Sequence, residues 1–376
     1  MTRLARLYIQ GLRNITEADF QPSPHFNLLF GENGSGKTSV LEAVYMLGTS
    51  RSFRGHLQRP LIQEGQSLCS VFGELETGLT LGVQRGRQGI KSLKVGGTQA
   101  GSAAELSQVL PLLLINGDTF AVLEGSPSER RRFIDWGVFH VKHEFLHHWR
   151  SARQALKQRN QLLRGEAGPA ELAPWTQAFA VNGEAMHRLR MEYLQQYEEH
   201  LQQFLPNSMG ETLAGRFTLE YLPGWDPEQP LQEQLQRALP RDRQAGHTTV
   251  GPHRAELRLR SGGQDVAEVL SRGQMKLLIC ALRLAQASLL QLLTGIRCVL
   301  LIDDLPAELD STNRARVCAQ LQKLGLQTFL TCIEPETLLP ALAGANEEMD
   351  QGLRLFHVKR GKISPHISHS DTGKNH

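Results

Sequence analysis

Three stretches of the chain are apolar almost without interruption: FNLLF at residues 26–30, LPLLLI at 110–115 and CVLLI at 298–302. Short runs with no polar alternation predict buried strands, and the last has the pattern of a parallel strand covered on both faces. TFLTCI at 328–333 predicts a further strand. From Phe139 to Leu205 the spacing becomes helical, in HEFLHHWRSARQALKQRNQLL and EAMHRLRMEYLQQYEEHLQQFL, separated by a Gly and Pro breaker in RGEAGPAELAP. Leu194, Tyr197, Leu201 and Phe204 mark one stripe of the second helix. Leu277, Leu278, Leu282 and Ala285 mark the core face of another helix near the end of the chain. The expected organisation is an α/β lobe built from residues 1–118 and 248–364, interrupted by an inserted, mainly helical lobe at 119–247. The chain turns polar from Gly361 and is expected to fray there, with 365–376 as a tail.

Composition adds limits. With 376 residues, 40% hydrophobic and 21% charged, the chain has ordinary globular usage and room for more than one domain. A net charge of +3 permits a nucleic-acid partner without requiring one, because phosphate binding depends on local clustering. Five scattered cysteines without paired metal spacing fit reduced thiols in a cytosol. The opening MTRLARLYIQGLRN lacks the continuous apolar run of a secretory leader, and no later stretch is expected to reach membrane-spanning length. The expectation is a cytoplasmic protein with no membrane partner.

The strand at 26–30 runs into GENGSGKT and then a helix, which matches G-x-x-x-x-G-K-[ST] in the context the motif requires. Gly31, Gly34 and Gly36 let the backbone wrap so that N–H groups of Glu32, Asn33, Ser35 and their neighbours surround phosphates, with the helix dipole adding a favourable field. Lys37 reaches the terminal phosphates, and Thr38 offers its hydroxyl to Mg²⁺. The second metal ligand is expected from the run at 298–302, which ends in two acids. Asp303 is assigned to the Mg²⁺ shell, and Asp304 to orienting or deprotonating the attacking water, with Lys37 as its catalytic partner. ATP and Mg²⁺ are the expected cofactors.

LSRGQMKLLICALRLAQ, residues 270–286, reads locally as a capping box between Ser271 and Gln274 ahead of a core helix. Its place in the order of motifs changes that reading. The P-loop is followed by this serine-glycine helix start, the acid-terminated strand, the stretch PAELD ending in Asp310, and the strand at 328–333. This order resembles ABC-type ATPases, with LSRGQ similar to the signature motif, LLIDD to the Walker B strand and PAELD to the D-loop. The resemblance implies that Ser271, Gly273 and Gln274 cap the γ-phosphate of an ATP held by a second, identical chain, so that two nucleotides hold a homodimer together. SRGQMKLLICALRLAQ, LIDDLPAELD, GSPSERRRFIDWGVFH, TTVGPHRAELRL and LRNI together resemble the RecF family of the SMC and Rad50 group over nearly the whole chain. Membership would imply a cytosolic, ATP-dependent dimer that binds DNA at single-strand gaps, in both single- and double-stranded form. It would work with RecR and RecO and help RecA displace single-strand-binding protein.

The chain departs from the wider ABC pattern at three positions. Asp304 stands where most relatives have Glu, which implies slow turnover. No His follows TFLTCI, leaving Thr331 or Cys332 near the place of the γ-phosphate sensor, and Asn116 occupies roughly the place of the Q-loop glutamine. In GSPSERRRFID, Ser126 and Glu129 form a second capping-box pattern, with Pro127 at the first helical position. Arg130, Arg131 and Arg132 then need either internal acids or a phosphate, and internal pairing is the preferred reading. Arg51, Arg54 and Arg59 are weaker candidates for DNA contact, with a solvated face preferred. HEFLH at 143–147 fits a zinc-hydrolase pattern without a third ligand and is set aside. A transporter ATPase subunit and a structural DNA clamp with incidental hydrolysis are the alternative functions.

Overall fold

Along Leu4–Leu12 buried and exposed positions alternate, with Leu7 and Ile9 inward and Arg6 and Gln10 outward, so this segment forms a one-faced strand, β1. The computed structural model describes residues 2–55, 61–165, 167–305, 309–342 and 352–366. Its contacts separate two units, residues 1–119 with 282–376 and residues 120–281. In the first unit β1 joins β2 (Ile15–Phe20), β4 (Leu68–Leu75), β5 (Thr80–Gly86), β6 (Gly89–Val95) and β7 (Thr98–Gln99) in an antiparallel sheet ordered β2-β1-β4-β5-β6-β7. The apolar runs form a second sheet, in which β3 (Phe26–Phe30), β8 (Leu112–Ile115), β12 (Val299–Ile302), β13 (Thr328–Cys332) and β14 (Leu353–Lys359) run parallel in the order β14-β3-β13-β12-β8. β15 (Lys362–His366) adds an antiparallel edge beside β14.

Helix α1 (Lys37–Thr49) packs against strands of both sheets. That placement explains why Val40, Leu41, Ala43, Val44, Met46 and Leu47 are all fully buried, and why the helix lacks a polar face. The parallel arrangement brings the ends of β3, β12 and β13 to one edge, where the P-loop, Asp303 and Thr331 emerge.

The second unit is mainly helical. It contains α2 (Pro127–Val141), α3 (Phe145–Leu163) and α4 (Pro169–Met209), together with a three-stranded sheet of β9 (Phe217–Leu222), β10 (Glu256–Ser261) and β11 (Gln264–Asp265). Arg159 is 1% exposed and satisfied by Asp242, Thr176 and Thr248, while Arg190 pairs with Asp135 and donates to the Pro252 carbonyl. Helix α5 (Arg272–Thr294) begins in this unit and ends in the first, and α6 (Ser311–Leu324) belongs to the first.

The structure differs from the sequence expectations in several places. Residues 248–281 lie in the second unit rather than with the α/β lobe, because β10 pairs with β9 and Thr248 and Pro252 supply partners to the buried arginines. The expected breaker ends early: α4 starts at Pro169, since proline suits a first helical position and Glu171 accepts the Gly168 N–H at 3.0 Å, and the helix continues through Pro174. Gly361 does not fray. It turns the hairpin between β14 and β15, and its N–H donates to the Ser35 carbonyl at 2.7 Å, so strand pairing continues to His366; residues 367–376 lie outside the described residues.

Ser126 begins α2 without a side-chain cap, its hydroxyl pairing instead with Ser128 at 2.7 Å. The arginines that follow are internally satisfied: Arg130 by Glu256 at 2.7 Å, Arg131 by the Ala255 carbonyl, and Arg132 by Glu129. His143 precedes α3, so it does not share a helical face with His147. Contrary to expectation, α5 is long and apolar enough to cross a membrane by length and composition, but 67% of its most apolar stretch is buried, as in a core helix.

Candidate nucleotide site

The loop between β3 and α1 owes its path to its glycines. Gly31, Gly34 and Gly36 have φ values of 141°, 77° and 120°, which side-chain-bearing residues rarely adopt. A Cβ at Gly31 would stand 2.4 Å from the Val358 carbonyl oxygen, and one at Gly36 would stand 3.0 Å from the Asn14 amide. Strands on either side therefore fit the loop closely. Asn14, in the turn between β1 and β2, donates to the Gly34 and Ser35 carbonyls at 3.3 and 3.0 Å and accepts from the Ser39 hydroxyl at 3.1 Å. Arg13 beside it has φ 55° and is held by a buried ion pair to Glu42 at 2.7 Å. Nothing in LRNI marks Asn14 for this role, because a polar residue at the end of a turn carries no local signal of a partner twenty positions away.

The loop and the ends of β12 and β13 enclose a cleft of about 900 Å³ lined by Asn33, Lys37, Thr38, Asp303, Asp304 and Thr331, among others. The Thr38 hydroxyl donates to Asp303 Oδ1 at 3.0 Å and the Thr331 hydroxyl donates to the same atom at 2.8 Å, while the Asp304 N–H donates to Thr331 Oγ1 at 2.7 Å. Thr331 thus ties both acids to β13. Asp304 has φ 55°, a left-handed conformation that Asp tolerates better than most residues. Lys37 Nζ donates to the Gly31 and Glu32 carbonyls at 2.6 and 2.9 Å. Burial lowers the Lys37 pKa, against the fields of Asp304, Cys332 and Asp303. Of the two residues named near the sensor position only Thr331 lines the cleft; Cys332 is buried, its thiol pushed up to about 12 by desolvation.

Other expected site residues fall elsewhere. Glu32 and Asn33 are exposed on the loop, whereas Ser35 is buried. Asn116 follows β8, accepts the Thr119 hydroxyl at 2.8 Å and does not line the cleft. Asp310 caps α6 by accepting the Asn313 N–H at 2.8 Å. Pro306, Ala307 and Glu308 of PAELD, and Arg59, lie outside the described residues. Ser271, Gly273 and Gln274 belong to the second unit. There the capping box is formed in both directions, Ser271 N–H to Gln274 Oε1 at 2.8 Å and Gln274 N–H to Ser271 Oγ at 3.3 Å, with Ser271 and Gly273 exposed. Arg13, Arg54 and Glu64 also line the cleft, a placement of Arg54 that no pattern in the sequence indicated.

These residues fit a magnesium nucleotide. The glycine cradle is shaped for phosphate, and Ser35 Oγ is buried without a hydrogen-bond partner among the described residues. Thr38 and Asp303 present the hard oxygen donors that Mg²⁺ takes, and between them would leave further positions for phosphate and water.

The RecF/RecN/SMC N terminal domain family matches residues 3–363. The chain is 43% identical over 366 residues, 96% of this chain and 97% of the relative, to the DNA replication and repair protein RecF of Pseudomonas paraeruginosa. The chain belongs to the RecF family. The RecF relative from Pseudomonas fluorescens is 43% identical over 374 residues, covering 98% of this chain and 100% of that one. Among solved structures, the recombination mediator protein RecF-ATP in the RecFOR pathway matches with a TM-score of 0.84 at 24% identity, covering 97% of this chain and 98% of that chain. An Smc head bound to the C-winged helix domain of ScpA matches at 0.58 and 16% identity, covering 97% of both chains. These likenesses establish the fold of a RecF-type ATPase head with a helical lobe.

Proposed function

We propose that this RecF-family chain is a cytosolic DNA replication and repair protein that binds ATP with Mg²⁺ and pairs with a second copy around two nucleotides. In this reading it binds DNA at single-strand gaps and, with RecR and RecO, helps load RecA onto DNA covered by single-strand-binding protein. Slow hydrolysis, stimulated by DNA, returns the dimer to separate chains. The observation that carries the reading is the joining of Thr38, Asp303 and Thr331 at a glycine-lined phosphate cradle. In a RecF-family chain this is the equipment of a nucleotide switch. The exposed helix start supports its second half, because Ser271 and Gly273 lie on the surface and the positive end of a helix dipole favours an anion such as a partner's γ-phosphate. ATP then favours the dimer by mass action, and loss of the γ-phosphate removes the bridge.

Light scattering with Mg-ATP against Mg-ADP, read beside binding to gapped and intact duplex DNA, tests this reading. A dimer with ATP alone, with tighter binding to the gapped substrate, is expected. A monomer under both nucleotides overturns it. In the same experiment Ser271→Arg should keep ATP affinity within about twofold yet remain monomeric, since the exposed side chain is far bulkier than a hydroxyl where a second chain would close. Asn14→Ala removes two donors from the loop carbonyls and one acceptor for Ser39. At about 1 kcal/mol per hydrogen bond, ATP affinity should fall about tenfold or more, with the fold retained by circular dichroism. Unchanged affinity would remove the bracing role of Asn14.

A further inference from the structure

Helix α3 (Phe145–Leu163) carries Arg150, Arg153, Lys157 and Arg159 and contains no acid, whereas its neighbour α4 carries five Glu against two Arg. Arg159 is consumed by its buried pair with Asp242. The other three are exposed, and Arg164, immediately after the helix, joins them. At 3.6 residues per turn, Arg150, Arg153, Lys157 and Arg164 fall within about 60° of one another and span about 21 Å. The helix dipole favours cations only in the last turn, so it does not account for Arg150 or Arg153.

Pairing separates Arg153, Lys157 and Arg164 from other cationic positions in the same unit. Arg132, Lys142, Arg237 and Arg260 each have a Glu partner. Among the described residues Arg153, Lys157 and Arg164 have no carboxylate within ion-pair distance: Arg153 lies over the Trp149 ring at 5.1 Å, and Arg164 donates to the Gly246 carbonyl at 3.3 Å. A row of like charges on one helix face is self-repelling unless an external anion covers it. The row is about as long as six nucleotide steps of a DNA strand at about 3.4 Å each.

We propose that this face of α3 is a contact surface for the phosphodiester backbone of DNA. The proposal rests on the DNA-binding reading above and adds where the strand lies. The contacts are to phosphate and carry no sequence preference, with the Arg153 guanidinium lying over the Trp149 ring.

The test uses the full chain with Mg-ATP and a fluorescein-labelled gapped duplex, followed by anisotropy from about 50 to 200 mM salt, the range in which phosphate contacts change affinity most visibly. R150Q/R153Q/K157Q should bind about tenfold or more weakly, and its plot of log affinity against log salt should be shallower by about 2–3 units, roughly one for each phosphate no longer neutralised. ATP affinity should be unchanged and the circular dichroism spectrum retained, because these side chains are exposed and none lines the nucleotide cleft. R150K/R153K should keep the wild-type slope, since lysine preserves a point-charge contact. Wild-type affinity and slope in the triple variant would overturn the proposal and leave the surface to an acidic protein partner. An equal loss in R87Q/K91Q/K94Q, in the hairpin of β5 and β6, would show an effect of total charge and overturn it as well. A wild-type chain that fails to bind any DNA would instead remove the proposed function, and this inference with it.

Discussion

Lys37→Met is expected to weaken ATP binding about a hundredfold and to abolish ATP-dependent pairing of chains. The side chain is 9% exposed, and its ammonium is held over the loop by the Gly31 and Glu32 carbonyls, which aims it at the space those carbonyls border. Burial already makes the charge costly, which the nearby Asp304 and Asp303 offset in part. Methionine has nearly the same length and fills the same volume, so packing survives while the charge and its donors are lost. Charge-assisted hydrogen bonds contribute about 1.5–3 kcal/mol each, and the upper end corresponds to a factor of about one hundred. Titration calorimetry with Mg-ATP reads the affinity, and light scattering reads the pairing. Affinity within about threefold of wild type would exclude a phosphate-binding role for Lys37.

Asp304→Asn is expected to do the opposite to the dimer, leaving ATP bound while hydrolysis falls by a factor of about 10²–10⁴, the usual contribution of a positioned base. The comparison is clean because of the backbone: φ at this position is 55°, and Asn tolerates the left-handed region as Asp does, so the substitution adds no strain. The N–H that donates to Thr331 Oγ1 is retained, and with it the placement of Asp303, the proposed Mg²⁺ ligand. The carboxylate charge is lost while this backbone contact stays. Single-turnover release of inorganic phosphate should therefore nearly stop, and the ATP-held dimer should persist on a sizing column. Hydrolysis at the wild-type rate would remove Asp304 from the reaction, whereas loss of ATP binding would show that its charge serves mainly to support Lys37.

The remaining acids and loops show how far local pattern reaches. Strands β3 and β12 were legible because a strand buried on both faces must be apolar at every position, and a P-loop must carry glycine where φ is positive. The capping box at Ser271 was legible for the same kind of reason, since its two hydrogen bonds join residues three apart. Ser126 offered the same pattern and did not form the box; its hydroxyl pairs with that of Ser128 instead. Sequence spacing states which hydrogen bonds are available and leaves open which competitor is chosen.

What the sequence determined by itself was the set of elements whose requirements are local: the glycine cradle, Lys37 and Thr38 at the start of α1, and the acids at the end of β12. Only the tertiary structure decided that Asn14 braces the loop, that Thr331 joins the two acids while Asn116 lies off the cleft, that the Gly361 hairpin packs against Ser35, and that residues 248–281 belong with the helical unit. Each of these depends on a partner distant along the chain. Such partners are brought together by the pairing order of strands and by the burial of charge, which no window of adjacent residues encodes.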